Sequence, residues 1–112
     1  MKNILIALGI EEKDKAAIRQ AAEGKDCELV FASPEGATAE QVAAANFIFG
    51  NVAPDMIKAS EKLDVIQLFS AGADPYMKPG ALAPKTVVCN ATGAYGQAVS
   101  EHAFALTLML IK

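Results

Sequence analysis

Short apolar runs alternate along the chain with segments in which apolar and charged residues are mixed at helical spacing. The runs are nearly continuous in apolar character, which is typical of strands in a parallel sheet covered on both faces. The predicted strands are Asn3–Leu8, Cys27–Ala32, Asn46–Gly50, Asp64–Ser70 and Thr86–Asn90.

The segments between these strands carry helical patterns with end signals. Gly24 follows the first helix at the position where glycine often ends helices. Thr38 and Gln41 have the spacing of a capping box, and Pro54 suits a first helical turn. The predicted helices are Glu11–Glu23, Ala39–Ala45, Asp55–Lys62 and Gln97–Ile111. This order predicts one α/β domain over residues 1–112, a flavodoxin-like three-layer sandwich with a five-stranded parallel sheet in order 2-1-3-4-5.

Composition and charge exclude several classes of protein. The 112 residues are 53% hydrophobic with a net charge of −3, which is too apolar and too weakly charged for intrinsic disorder. Ten basic against 13 acidic residues leave no excess for nucleic-acid binding. The apolar stretch Ala103–Ile111 is far shorter than the roughly 20 residues of a membrane span. Cys27 and Cys89 are interpreted as small buried hydrophobes of a reducing, cytoplasmic protein, with a disulfide as the less favoured alternative.

Ligands of open parallel sheets bind beyond the carboxyl ends of the strands. A phosphate-accepting receiver domain requires an aspartate after the third strand, where this chain has Gly50 and Asn51, and a lysine after the fifth, where the turn following Asn90 has none. A flavodoxin requires a phosphate loop after the first strand, but residues 9–14 carry three carboxylates that repel phosphate. Both interpretations fail.

Two turns remain as candidate sites. Ser70–Ala73 has small side chains and backbone N–H groups that could surround a carboxylate or phosphate, although an ordinary strand-to-helix turn is the simpler alternative. In the second turn, Gly93 and Gly96 have GxxG spacing without the GxGxxG dinucleotide fingerprint. Neither turn alone identifies a function, and no metal site is indicated.

Read together, these turns and the last helix resemble a known family. The stretch Val65–Ile111 resembles the end of the N-terminal lobe of D-isomer-specific 2-hydroxyacid dehydrogenases, of the glyoxylate/hydroxypyruvate reductase or phosphoglycerate dehydrogenase type. The matching motifs are Ser70-Ala71-Gly72-Ala73-Asp74, the strand Val87–Asn90 with its glycine turn, and Ser100-Glu101-His102 opening the helix. The first half of the chain is similar only in its strand–helix rhythm.

The resemblance implies a substrate site in the first turn. Backbone N–H groups of Ala71 and Gly72 would bind the carboxylate of a small 2-keto or 2-hydroxy acid, and Ser70 would border that pocket. Tyr76 would line the cleft or, with equal weight, pack beneath its own turn. Gly96 would lie near the nicotinamide of NAD or NADP.

The departures from the family are as informative as the matches. The family's catalytic arginine, glutamate and histidine lie in a later NAD-binding domain with a GxGxxG turn. Here the single arginine, Arg19, lies on the first helix, and His102 does not match the catalytic histidine. We therefore expect a substrate-binding lobe, truncated before the NAD-binding domain. On this chain we expect no catalytic residue and no bound cofactor, and no activity in isolation.

The alternative is a non-catalytic, flavodoxin-like self-association domain. The helix within residues 97–112 is apolar nearly all round, and such a helix has to be buried on every side. In the family it leads into the nucleotide-binding domain and often contributes to the dimer. Without that domain one side would face water, so we expect a homodimer through this helix. Half a cleft would bind the acid weakly or not at all.

Overall fold

The computed structural model describes residues 2–58 and 60–111. Its centre is a parallel sheet in which β1 is flanked by β2 and β3, giving the order β2-β1-β3-β4-β5. The strands are β1 (Lys2–Ala7), β2 (Cys27–Ala32), β3 (Phe47–Phe49), β4 (Val65–Gln67) and β5 (Val87–Cys89). The predicted flavodoxin-like strand order is therefore confirmed.

Four helices connect or follow the strands; three match their predicted bounds to within one residue at each end, and α3 is shorter than predicted. They are α1 (Glu12–Ala22), α2 (Ala39–Ala44), α3 (Pro54–Ile57) and α4 (Gly96–Ile111). Helix α3 was predicted to reach Lys62 but ends at Ile57, because Ser60 turns inward and donates its hydroxyl to the Val42 carbonyl oxygen at 3.3 Å. Ala59, predicted on the apolar side of α3, lies outside the described residues. A short 3-10 turn, Asp74–Tyr76, was not predicted.

One face of the sheet is closed. The strand register places Leu5, Ile48, Ile66 and Val88 side by side on this face. Helices α2 and α3 cover it, and the core there includes the buried side chains Leu5, Val42, Ile48, Ile57, Leu63, Ile66 and Leu68. Each such side chain contributes about 1.5–3 kcal/mol through burial. This face therefore supplies most of the apolar burial.

The opposite face is covered only in part. Helix α1 lies over β1 and β2, where the Arg19 guanidinium sits 4.9 Å from the centre of the Phe31 ring. Over β3 and β5, Phe49 and Val87 stay 40% and 54% exposed. The two cysteines, predicted as buried, are free and half-buried on the two edge strands of the sheet. An apolar part of the sheet is thus left facing solvent.

Helix α4 projects away from the sheet. Every one of its described residues is exposed. The molecule extends over 58 Å, and its radius of gyration of 16.8 Å exceeds the roughly 13 Å expected for a compact domain of this length. The helix was predicted within one residue at its start, and it has no packing partner in the described part of the chain.

We predict that Gly50→Ala destabilises the fold more than Gly24→Ala. Both glycines have positive φ, but only at Gly50 would a Cβ atom clash with backbone, at the Ala7 carbonyl oxygen. An alanine held at positive φ costs about 1–3 kcal/mol in backbone strain at either position. At Gly50 the clash with the Ala7 carbonyl oxygen adds to this cost. Urea unfolding measures the difference, and equal midpoints for the two variants would contradict it.

We also predict a pH-dependent effect of Asp64→Asn. The Asp64 carboxylate accepts hydrogen bonds from Lys85 at 3.2 Å and Lys2 at 3.3 Å, and these bonds, Lys85 first, lower its pKa. A lowered pKa stabilises the fold above the usual aspartate value of about 3.9, and the contribution is lost as pH falls through the lowered value. The variant should be less stable at neutral pH and equal to the parent in strong acid. A difference insensitive to pH and salt would refute this.

Candidate functional site

The carboxyl ends of β3, β4 and β5 meet at one edge of the sheet, and Asn51 joins the first two of them. Its Oδ1 atom accepts the Phe69 N–H at 2.9 Å, and its Nδ2 atom donates to the Ser70 hydroxyl at 2.9 Å. Gly50, just before it, donates its N–H to the Gln67 carbonyl oxygen at 2.9 Å. One side-chain amide therefore ties the end of β3 to the turn after β4.

The turn after β4 is held through its carbonyl groups. The Ser70 hydroxyl donates to the Gly72 carbonyl oxygen at 2.8 Å. Asn90 Nδ2 donates to the Ala71 carbonyl oxygen at 2.9 Å, and the Ala91 N–H donates to that of Ser70 at 2.8 Å. Three successive carbonyl oxygens are thus occupied by donors of the protein itself.

The amide groups of the same turn are open. Within residues 2–58 and 60–111, the backbone N–H groups of Ala71, Gly72 and Ala73 have no protein acceptor. Ala71 and Gly72 are exposed, and a Cβ atom added to Gly72 would meet nothing within 4 Å. Adjacent free N–H dipoles attract anions such as carboxylates and phosphates. The turn contains no lysine or arginine, so any anion would be bound by backbone dipoles alone.

Ser70 borders this turn with its hydroxyl already engaged. It accepts from Asn51 and donates to the Gly72 carbonyl oxygen, so its proton is directed into the turn. Ser70, Ala71 and Gly72, the three predicted substrate-site residues of this turn, are consecutive in sequence, and their contact with substrate stays a prediction.

Tyr76 is placed differently. It is 6% exposed, and its hydroxyl donates to the Val52 carbonyl oxygen at 2.7 Å. Burial raises the pKa of this phenol. These contacts fit the packing alternative, since they fasten the 3-10 turn to the segment after β3. A contact between Tyr76 and substrate stays a prediction.

Gly96 begins α4, beyond the turn that follows β5. Asn90 Oδ1 accepts the Thr92 hydroxyl at 2.8 Å, and the Tyr95 hydroxyl donates to the Phe69 carbonyl oxygen at 2.5 Å. Gly96 itself is exposed. The turn is thereby anchored beside Ser70–Ala73, while the predicted closeness of Gly96 to a nicotinamide remains a prediction.

Sequence reasoning did not assign a site role to Asn51, although it lies directly after the third strand. The available signal was a polar amide at the carboxyl end of a buried parallel strand. Its contact with Phe69 and Ser70 joins residues distant in sequence, which no local pattern reveals.

The described part of the chain offers neither a metal-binding cluster nor a membrane-spanning helix. Among residues 2–58 and 60–111, no three histidine, cysteine, aspartate or glutamate side chains are grouped closely enough to hold a metal ion. In the same part of the chain, no helix combines the length and apolar character needed to cross a membrane.

We predict that Asn51→Ala loosens the turn after β4. The variant loses two hydrogen bonds, which together are worth about 1–3 kcal/mol, and the Phe69 amide should exchange with deuterium faster than in the parent. Asn46→Ala is the matched control, because Asn46 accepts the Asn3 N–H at 2.9 Å and bridges the strands at the opposite end of β3. Faster Phe69 exchange in both variants alike would contradict a specific role for Asn51.

The comparisons with known proteins agree with this architecture. A crystal structure of phosphoglycerate dehydrogenase from Lactobacillus plantarum has a TM-score of 0.61 to this chain, with 23% sequence identity over 97% of it. The chain spans 35% of the length of that structure's chain, and at this identity the likeness shows a shared fold. No curated protein shows significant similarity to the chain.

Family membership rests on a separate match. Residues 4–108 match the family described as D-isomer specific 2-hydroxyacid dehydrogenase, catalytic domain. The match extends over both candidate turns and most of α4, and also over the first half of the chain, where the sequence showed only a strand–helix rhythm. The chain therefore belongs to the catalytic-domain family of the D-isomer specific 2-hydroxyacid dehydrogenases.

Proposed function

We propose that this chain forms the substrate-binding lobe of an oxidoreductase that transfers hydride between NAD(P) and a small 2-keto or 2-hydroxy acid. The observation that carries the proposal is the turn after β4, whose carbonyl oxygens are occupied and whose amides at Ala71, Gly72 and Ala73 are open. All substrates of this class share a carboxylate next to the reacting carbon. The turn offers that carboxylate a binding site.

The proposed role of the turn is positioning. Backbone dipoles held by Asn51 and Asn90 would fix the carboxylate and, through it, the adjacent keto carbon. Pre-set groups of this kind accelerate a reaction by removing the cost of orienting the substrate. The Ser70 hydroxyl is already bonded within the turn, so we assign it to shaping the pocket.

We assign no dinucleotide site to this chain. The sequence has no GxGxxG motif, and the turn after β1 carries carboxylates that would repel a pyrophosphate. We therefore propose that the nicotinamide, which supplies or accepts the hydride, is held by another part of the enzyme, with Gly96 at its edge. We propose no catalytic residue on this chain, no activity in isolation, and a cytoplasmic location, supported by the free thiols.

The second candidate function is a non-catalytic self-association domain. The observation that favours it is the complete exposure of α4, including Leu110 at 88% and Met109 at 74%. Apolar surface of this extent favours association in water. The two candidates are compatible, and they differ in whether the turn after β4 binds an acid.

We predict localised binding of a small 2-keto acid. Titrating the ¹⁵N-labelled chain with pyruvate should shift the amide resonances of Ala71, Gly72 and Ala73, with saturation on the order of millimolar because half a cleft makes few contacts. Methyl pyruvate, which lacks the carboxylate charge, is the matched ligand control and should leave them unchanged. The Asn51→Ala variant should weaken the response. Absence of any saturating shift in this turn, or an equal response to the ester, would overturn the proposed site.

We predict no turnover by residues 1–112 alone. NADH mixed with the chain and pyruvate or glyoxylate should be oxidised no faster than without protein, because we assign the dinucleotide site to another part of the enzyme. Fluorescence of NADH on titration with the chain gives an independent readout of binding. Measurable turnover, or saturable NADH binding, would contradict the proposal that another part of the enzyme holds the nicotinamide.

A further inference from the structure

We infer that the acid bound at the turn after β4 carries an uncharged side chain, which lies in a pocket between the loops after β2 and β3. This substrate class, 2-keto acids without a second negative charge, rests on the proposed function. We define the switch-point pocket by its lining residues Pro34, Glu35, Ala37, Asn51, Val52 and Met56. Its volume of about 290 Å³ is at the lower end for small-molecule sites, which suits a short side chain.

The switch-point pocket lies where the connections of the sheet change direction. β1 is placed between β2 and β3, and the chain leaves β1 toward α1, on the face opposite α2 and α3. The space beyond the end of β1 is therefore open between the loops that follow β2 and β3. Ligands of open α/β sheets bind in the crevice at this point. The topology thus favours a binding role for the pocket independently of the turn after β4.

Asn51 connects the switch-point pocket to the turn that would bind the carboxylate. It lines the pocket, and its side-chain amide donates to the Ser70 hydroxyl at 2.9 Å. β3 and β4 are paired neighbours, so their ends are separated by one strand spacing, about 4.8 Å. An acid held by the amides of Ala71 and Gly72 can therefore extend past Asn51 into the pocket with a short side chain.

The walls of the switch-point pocket offer mainly apolar contacts. Val52 is buried, and its carbonyl oxygen is occupied by the Tyr76 hydroxyl at 2.7 Å. The side-chain amide of Asn51 is likewise engaged at both its oxygen and its nitrogen. Met56 is 37% exposed, and its unbranched side chain adapts to ligands of different shape. These groups favour an apolar side chain over a polar one.

The charge in the switch-point pocket disfavours an acidic side chain. Glu35 is the only charged residue among the described residues that line it. In the described part of the chain, Glu35 forms no ion pair that would neutralise its carboxylate. Lys58 and Lys78 line a separate cleft, which they share with Asp55. A second carboxylate or phosphate on the ligand would meet a negative charge without a cation, which weakens binding by roughly tenfold at a separation of a few ångströms.

The test compares two ligands of the same shape that differ in charge. 2-Oxoglutarate ends in a carboxylate, and 5-methyl-2-oxohexanoate has two methyl groups in place of its oxygens. Titrating the ¹⁵N-labelled chain with 5-methyl-2-oxohexanoate should shift the amide resonances of Ala37 and Val52 together with those of Ala71 and Gly72. 2-Oxoglutarate should require an about tenfold higher concentration to saturate the same amides. Pyruvate, with a single methyl group, should shift the turn alone.

A charge variant tests the role of Glu35. Glu35→Gln should tighten the binding of 2-oxoglutarate about tenfold and leave that of 5-methyl-2-oxohexanoate unchanged, because only the former is repelled by the carboxylate. Glu61→Gln is the matched control, since it removes the same charge before β4, at the opposite edge of the sheet. Both glutamates are exposed, so the variants should fold, as circular dichroism checks.

The possible outcomes separate the side-chain assignment from the proposed function. If neither acid shifts Ala71 and Gly72, the proposed function fails and the side-chain assignment fails with it. If both acids saturate these amides at similar concentrations, the turn binds acids but the assignment of an uncharged side chain is overturned. That assignment is also overturned if Val52 does not respond to 5-methyl-2-oxohexanoate, or if Glu61→Gln changes the preference as much as Glu35→Gln.

Discussion

The structure depends on the need of a parallel sheet for cover on both faces. Helices α2 and α3 meet that need on one face, where the central residues of β1, β3 and β4 are buried. On the other face α1 covers β1 and β2, while Phe49 and Val87 remain open to solvent. Because α4 leaves the domain without covering this area, two apolar surfaces of one chain stay unpaired.

The parallel sheet followed from the sequence because the apolar runs do not alternate, a property of strands buried on both faces. Its strand order followed from the flavodoxin-like arrangement that five such strands suit. Helix ends were harder to place. The pattern after Pro54 continued as a helix, yet the chain turns inward at Ser60 to place Leu63 in the core. Tertiary packing determines where α3 ends, and no local sequence signal in residues 55–62 predicts that end. The complete exposure of α4 also depends on the arrangement of the rest of the chain.

The candidate site was predictable in its location and less so in its construction. The position of Ser70–Ala73 followed from the rule that ligands bind at the carboxyl ends of parallel strands. The sequence could not show that the carbonyl oxygens of this turn are occupied and its amides open. That arrangement accompanies hydrogen bonds from Asn51 and Asn90, which follow the two strands on either side of β4. Tyr76 could be read as a cleft residue or a packing residue, and its bond to the Val52 carbonyl oxygen places it in the packing arrangement.

The central claim is that the open amides of the turn after β4 bind the carboxylate of a small 2-keto acid. The most direct measurement is the hydrogen–deuterium exchange of the Ala71, Gly72 and Ala73 amides with and without saturating pyruvate. We predict that pyruvate slows the exchange of these three amides and that methyl pyruvate, which lacks the carboxylate charge, does not. Exchange that is unchanged by pyruvate, or slowed equally by the ester, would contradict the claim.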